Sequence, residues 1–158
     1  MAKSDWVKLL ISILFTVGLG GISGVVTVQE IPHWYAGLHK PSFNPPNSLF
    51  GPVWSILYVL MGISAWLVWK QPASSNRNQA LLLFLLQFIL NFCWSFIFFG
   101  MHQLGWALAE LMLMWLAILL TIFRFGKFSS LASWLLVPYI SWVSFAGILN
   151  AAIWKLNT

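Results

Sequence analysis

WYAGLHKPSFNPPNSLFGPVWSILY, residues 34–58, is a proline-dense aromatic loop that runs directly into an apolar segment of membrane length. Pro41, Pro45, Pro46 and Pro52 fix φ and remove backbone donors. They also bias the residues before them toward extended backbone. The loop is therefore preset in shape, and it carries Trp34, Tyr35, Phe43, Phe50 and Trp54. Two readings fit it. It is a stiff lid over an apolar ligand at the mouth of a helical bundle, or a set of interfacial anchors, because Trp and Tyr collect at the headgroup level.

The apolar segment is one of five. Runs at 6–28, 48–69, 79–101, 104–124 and 130–154 each supply the roughly 20 residues that a helix needs to cross the hydrocarbon core. The long alternation of barrel strands is absent, so a helical bundle is the structure that satisfies the backbone in lipid. Composition agrees. Of 158 residues, 60% are hydrophobic and 7% charged, against about 25% charged in soluble chains. Mean hydropathy is +0.85. The sequence predicts an all-α membrane protein, with residues 1–158 forming one domain of five transmembrane helices and a structured first loop.

Loop charge predicts an orientation. Lys3, Lys8, Lys70, Arg77, Arg124 and Lys127 fall on one side of the bilayer, and Lys40 and Lys155 on the other. The bias places the N-terminus in the cytoplasm and the C-terminus outside. The net charge of +5 arises in these flanks and does not point to nucleic acid.

Reactive chemistry is sparse. Cys93 is the single cysteine and sits in an apolar run as a packing residue. His33, His39 and His102 lie in loops or at helix ends, without metal-ligand spacing. No catalytic triad or phosphate loop is present, and no metal site is expected. Glu110 is the one carboxylate well inside a span. It is a functional candidate by position, although snorkelling or pairing with a neighbouring donor accounts for it equally well.

Helical spacing gathers the polar and aromatic residues into stripes. In GLGGISG, Gly20 and Gly24 form a GxxxG pair suited to close helix packing, within the chain first and between two copies as the alternative. In QFILNFCWSFIFF, Gln87, Asn91, Trp94, Ser95 and Phe98 share one face, which should point into the bundle. Gln87 is expected to make helix–helix hydrogen bonds. Asn91 either does the same or lines a ligand cavity with Trp94. In the fifth span, Trp142, Ala146, Leu149 and Asn150 form a stripe, and small Ala146 beside Trp142 and Phe145 leaves room for a flat group. Pro138 is expected to remove one bond and kink that helix. Trp54, Tyr58 and Met61 make a third stripe.

Read together, WY at 34–35, KPSFNPP at 40–46, FGPVW at 50–54, LYVLMG at 57–62, QFILNFCWS at 87–95, FFGMHQLGWALAE at 98–110 and PYISWVSFAGILN at 138–150 closely resemble the translocator protein family. This is the TspO/MBR group of peripheral benzodiazepine receptors and tryptophan-rich sensory proteins, and the chain reads as a bacterial member. The resemblance covers about residues 18–154. It implies a five-helix bundle with a pocket beneath the first loop, binding of porphyrins, sterols and synthetic benzodiazepine-receptor ligands, no obligatory cofactor, and a homodimer in the bilayer. The family's pocket residues fall on Tyr35, Pro46, Trp54, Tyr58, Asn91, Trp94, Trp142, Phe145, Ala146 and Leu149. One departure stands out. Sterol-binding members carry a Tyr followed shortly by a basic residue late in the fifth helix, whereas LNAAIWK has no Tyr near Lys155. A flat tetrapyrrole suits this chain better than a sterol.

Three functions follow from this. The first is a membrane receptor or carrier for flat hydrophobic ligands of the protoporphyrin IX type, stacked on Trp54 and Trp142, with Asn91 orienting a polar edge and Lys40 meeting a propionate. The second is a light- and oxygen-dependent porphyrin-degrading enzyme in which Trp54 and Trp142 take part. The third is a membrane scaffold or regulator without transport.

Overall fold

The computed structural model of the chain describes residues 3–158, Lys3 by its backbone alone. Met1 and Ala2 of the single-domain reading, and the Lys3 side chain of the charge count, lie outside the described residues. Six helices account for most of it: α1 (Lys3–Glu30), α2 (Phe50–Trp69), α3 (Ser75–Ser95), α4 (Leu104–Gly126), α5 (Ser130–Leu135) and α6 (Val137–Asn157). They make five spans long and apolar enough to cross a membrane, with α5 and α6 forming the fifth. Among the described residues there is no strand.

Local chemistry sets the ends. Pro32 follows α1 and disfavours helical backbone at Ile31. Pro52 stands in the first turn of α2, where a missing N–H costs nothing. The Ser74 side chain caps α3 by accepting from Arg77 N at 3.2 Å, so α3 begins four residues before the expected 79. After Ser95 the third span widens into a π turn over Phe96–Gly100, closed by Met101 N donating to Phe96 O at 2.7 Å. Pro138 does not kink a continuous helix. The fifth span breaks at Leu136 instead, and Pro138 falls in the first turn of α6, a favoured position.

The bundle is inverted relative to a soluble one. Leu14, Leu82, Trp106 and Trp134 face outward, where lipid is as apolar as any core. The face that α1 turns inward holds small and hydroxylic residues: Ser12, Thr16, Gly20 and Ser23 are buried. Thr16 Oγ1 donates to Tyr58 O at 2.7 Å, and a Cβ on Gly62 would stand 2.8 Å from Ile13 Cα. Helices α1 and α2 therefore meet at backbone distance. Of the glycine pair, only Gly20 packs within the chain. Its missing Cβ admits the Tyr58 ring, whereas Gly24 has nothing within 4 Å of that position. Further polar ties cross the bundle: Ser64 Oγ to Ala132 O at 2.7 Å, Trp115 Nε1 to Ser144 Oγ at 2.8 Å and Asn150 Nδ2 to Leu104 O at 2.9 Å. Gln87 makes no such tie. It is buried, and its amide N and O have no partner among the described residues. The same holds for both carboxylate oxygens of Glu110, so of its alternatives the pairing with a neighbouring donor finds no donor among the described residues.

Candidate functional site

The loop over 31–49 folds back onto the end of the bundle and packs by its aromatic rings. Trp34 stacks on His102 at 4.2 Å between centroids and 11° between planes, and meets Phe98 edge-on at 5.6 Å. His102 in turn reaches Glu30 Oε2 at 3.2 Å through Nε2. Tyr35 is buried at 2% exposure, and its hydroxyl donates to Asn44 Oδ1 at 2.7 Å. Asn157 clamps the loop from the far end of the chain: it accepts from His39 N at 3.0 Å and donates to His39 O at 2.9 Å. Trp34 and Tyr35 thus turn into the protein, while Phe43 of the same loop stays exposed, and the loop lies as a lid across this end of the bundle.

Beneath the lid lies a cavity of about 750 Å³, within the range of small-molecule sites. Its walls come from α1, α2, the end of α3 and α6. Of the ten residues anticipated from sequence, eight line it: Tyr35, Trp54, Tyr58, Trp94, Trp142, Phe145, Ala146 and Leu149. Trp54 stacks on Tyr58 at 5.5 Å, and Trp142 meets Phe50 edge-on at 6.1 Å and Phe145 at 5.5 Å. Pro46 and Asn91 do not line it. Pro46 is exposed, one residue before the short 3₁₀ turn Asn47–Leu49. Asn91 stands behind Tyr58, whose hydroxyl donates to Asn91 Oδ1 at 3.1 Å, so it orients Tyr58 rather than a guest. Lys40 is also held elsewhere: its Nζ donates to Leu38 O at 3.1 Å and lies 4.7 Å over the Tyr35 ring. Two buried groups in the cavity wall, Trp94 Nε1 and Asn150 Oδ1, have no partner among the described residues.

Sequence reasoning missed the α1 wall, which includes Val17, Gly20, Gly21, Ser23, Val25 and Val28. Their signal was the run of small residues in GLGGISG, which reads as helix packing until α1 is placed beside the cavity. Among the described residues, no group of His, Cys, Asp and Glu is gathered as metal ligands.

Two lid predictions follow. In His102→Ala the Trp34 stack and the Glu30 contact are lost, worth about 1–2 kcal/mol together. Amide exchange over 31–44 should be roughly tenfold faster in this variant, and an unchanged exchange rate would show that these contacts do not hold the lid down. Burial also pushes the Tyr35 hydroxyl up from 10.0 to about 12. Its raised value means that its contribution to lid closure is intact below pH 10 and is lost as pH rises through about 12. Amide exchange over 34–44 should therefore accelerate in that alkaline window, beyond the intrinsic base-catalysed rise, and should do so less in Tyr35→Phe.

The model of the TspO/MBR family matches residues 11–155. The chain is 41% identical over 150 residues to a tryptophan-rich protein TspO of Archaeoglobus fulgidus, covering 95% of this chain and 97% of that protein. It is 43% identical over 126 residues to the translocator protein of Homo sapiens, covering 78% and 75%. To the tryptophan-rich sensory protein of Cereibacter sphaeroides it is 35% identical over 153 residues, covering 97% and 93%. With its five spans and its lidded, indole-walled cavity, the chain is an integral multi-pass membrane protein and belongs to the TspO/MBR family.

Proposed function

We propose that the protein is a membrane receptor or carrier that binds flat hydrophobic ligands, of the porphyrin class and of the synthetic benzodiazepine-receptor class, in the cavity beneath the lid. The observation that carries this reading is the presence of three indoles, Trp54, Trp94 and Trp142, from three separate helices lining one cavity. Aromatic faces on several sides suit a planar ring system, whose burial contributes about 25 cal/mol per Å². Small Gly20, Gly21 and Ala146 leave width between them. The unpaired Trp94 Nε1 and Asn150 Oδ1 suit a ligand with a polar edge, since a buried group left without a partner costs about 1–3 kcal/mol. An open cavity speaks against a purely scaffolding role.

The test is a fluorescence titration of the purified protein with protoporphyrin IX. Saturable quenching, reversed by a synthetic benzodiazepine-receptor ligand, is the expected result. Linear, non-displaceable quenching would indicate partition into detergent and would remove the assignment.

A degradative role has one observation in its favour: Trp54 and Trp142, both oxidisable, face the same space. Illumination of the porphyrin complex in air, compared with Trp54→Phe/Trp142→Phe, separates the readings, because equal product yields leave only free photochemistry. The proposed assembly is a homodimer, with its N-terminus in the cytoplasm on the ground of loop charge.

A further inference from the structure

A second recess lies at the opposite end of the bundle. It is a groove of about 240 Å³ between α1, α2 and α3, and its walls include Ile11, Phe15, Trp69, Leu81, Phe84 and Leu85. Ile11, Phe15 and Leu85 are exposed on its rim, so the groove opens toward the lipid phase. Its walls are almost wholly apolar, and its mouth is basic. Lys8 precedes Ile11 and Ser12 by one turn of α1, and Arg77 precedes Leu81 by one turn of α3, so each stands over the groove on its own helix face.

Arg77 is held in place. Its Nη1 donates to Gln71 O at 2.9 Å and approaches Trp69 O at 3.5 Å, while Nη2 donates to Asn78 Oδ1 at 2.8 Å. Nε also donates to Asn78 Oδ1 at 3.2 Å, so the guanidinium is fixed against the α2–α3 loop, next to the backbone of Trp69, whose side chain is a groove wall. Lys70 adds an ammonium 4.2 Å over the Trp66 ring. The positive end of the α3 dipole falls at Ser75, beside Arg77. The acid at this end is Asp5, in the first turn of α1, whose backbone carbonyl accepts from Trp66 Nε1 at 2.9 Å. Lys8, Lys70 and Arg77 outnumber it.

We propose that the groove is a site for an anionic phospholipid of the surrounding bilayer, with one acyl chain lying between Phe15, Leu81 and Leu85, the phosphate met by Lys8, and the fixed positive charge of Arg77 favouring it from the α2–α3 loop. An apolar slot open to lipid, capped by fixed positive charge at headgroup depth, matches a molecule with a chain below and a phosphate above. A zwitterionic lipid offers the same chain, but its own cation opposes the two basic residues.

The test uses the full chain in detergent and reads lipid retention by native mass spectrometry. The probes are phosphatidylglycerol and phosphatidylcholine with identical palmitoyl and oleoyl chains. Phosphatidylglycerol should be retained about thirtyfold better, the preference expected from two basic residues near an anionic headgroup. Lys8→Gln should reduce that preference about fivefold, and Lys8→Gln/Arg77→Gln should abolish it. Leu81→Trp, which fills the groove, should lower retention of both lipids. Because Arg77 also ties the α2–α3 loop, circular dichroism checks each variant for folding, and Lys8→Gln alone suffices for the decision. Equal retention of the two lipids by the unaltered protein overturns the proposal, as does an unchanged preference in Lys8→Gln. Undiminished retention in Leu81→Trp removes the acyl-chain assignment. Displacement of phosphatidylglycerol by millimolar inorganic phosphate would assign the basic residues to a free anion and overturn the lipid reading.

Discussion

Trp142→Ala is expected to weaken protoporphyrin IX binding at least tenfold. Trp142 lines the cavity, and its ring is set by edge-on contact with Phe50 at 6.1 Å and by Phe145 at 5.5 Å. Replacing the indole with a methyl group removes one face of the slot. The lost burial and ring contact together amount to roughly 2–3 kcal/mol, or a factor of about 30 to 150 in affinity. Relaxation of Phe50 into the gap would recover part of this, which sets the lower bound. The dissociation constant, not the quenching amplitude, is the quantity to compare, because removal of one of eleven tryptophans alters the amplitude by itself. Trp142→Phe keeps a flat face and should lie between the two. A dissociation constant in Trp142→Ala within threefold of the unaltered protein would take Trp142 out of the site.

Gly62→Leu should produce the largest loss of stability. A Cβ at Gly62 would already sit 2.8 Å from Ile13 Cα and from Thr16 Oγ1, and a backbone atom cannot move aside without moving its helix. The larger side chain forces α1 away from α2 and breaks the Thr16–Tyr58 O hydrogen bond at 2.7 Å. Overpacking of this kind costs about 1–3 kcal/mol, and the lost interhelical bond adds about 1 kcal/mol. Thermal unfolding in detergent should shift down by about 10 °C. Gly24→Ala is the control: with nothing within 4 Å of its Cβ, it gains about 1 kcal/mol of helix propensity and should leave the midpoint level or raise it. If both variants unfold at the same temperature, the tight α1–α2 contact is not a source of stability.

The five spans were legible because lipid enforces length and apolarity whatever the fold. The stripes Trp54–Tyr58 and Trp142–Ala146–Leu149 were legible because 3.6-residue spacing fixes which side chains share a face. Depth was not. Asn91 shares the face of Trp94, but a neighbouring helix places Tyr58 in front of it, and no pattern within α3 encodes that. The α1 wall stayed hidden because Gly21, Val25 and Val28 look the same whether they border lipid or a cavity. Lys40 reads as a free cation in a loop. Only the folded loop shows that its own carbonyls, at Ala36 and Leu38, occupy it. The break at Leu136 was misread as a kink because the sequence shows where proline stands, not where the preceding helix has already stopped.

The wide turn at Phe96–Gly100 carries a lesson about counting. Consecutive residues of a regular helix diverge by about 100°, yet Phe98 and Phe99 are both buried and both reach the indole of Trp34. The extra residue accommodated in that turn is what brings two neighbouring phenyl groups to one spot. Excising a single residue there would leave composition and hydropathy almost untouched, yet it would rotate everything from that point to Gln103 by a little over a quarter of a revolution and set one phenyl adrift in the acyl chains. In this stretch the phase of the chain, more than its chemistry, decides where the rings land.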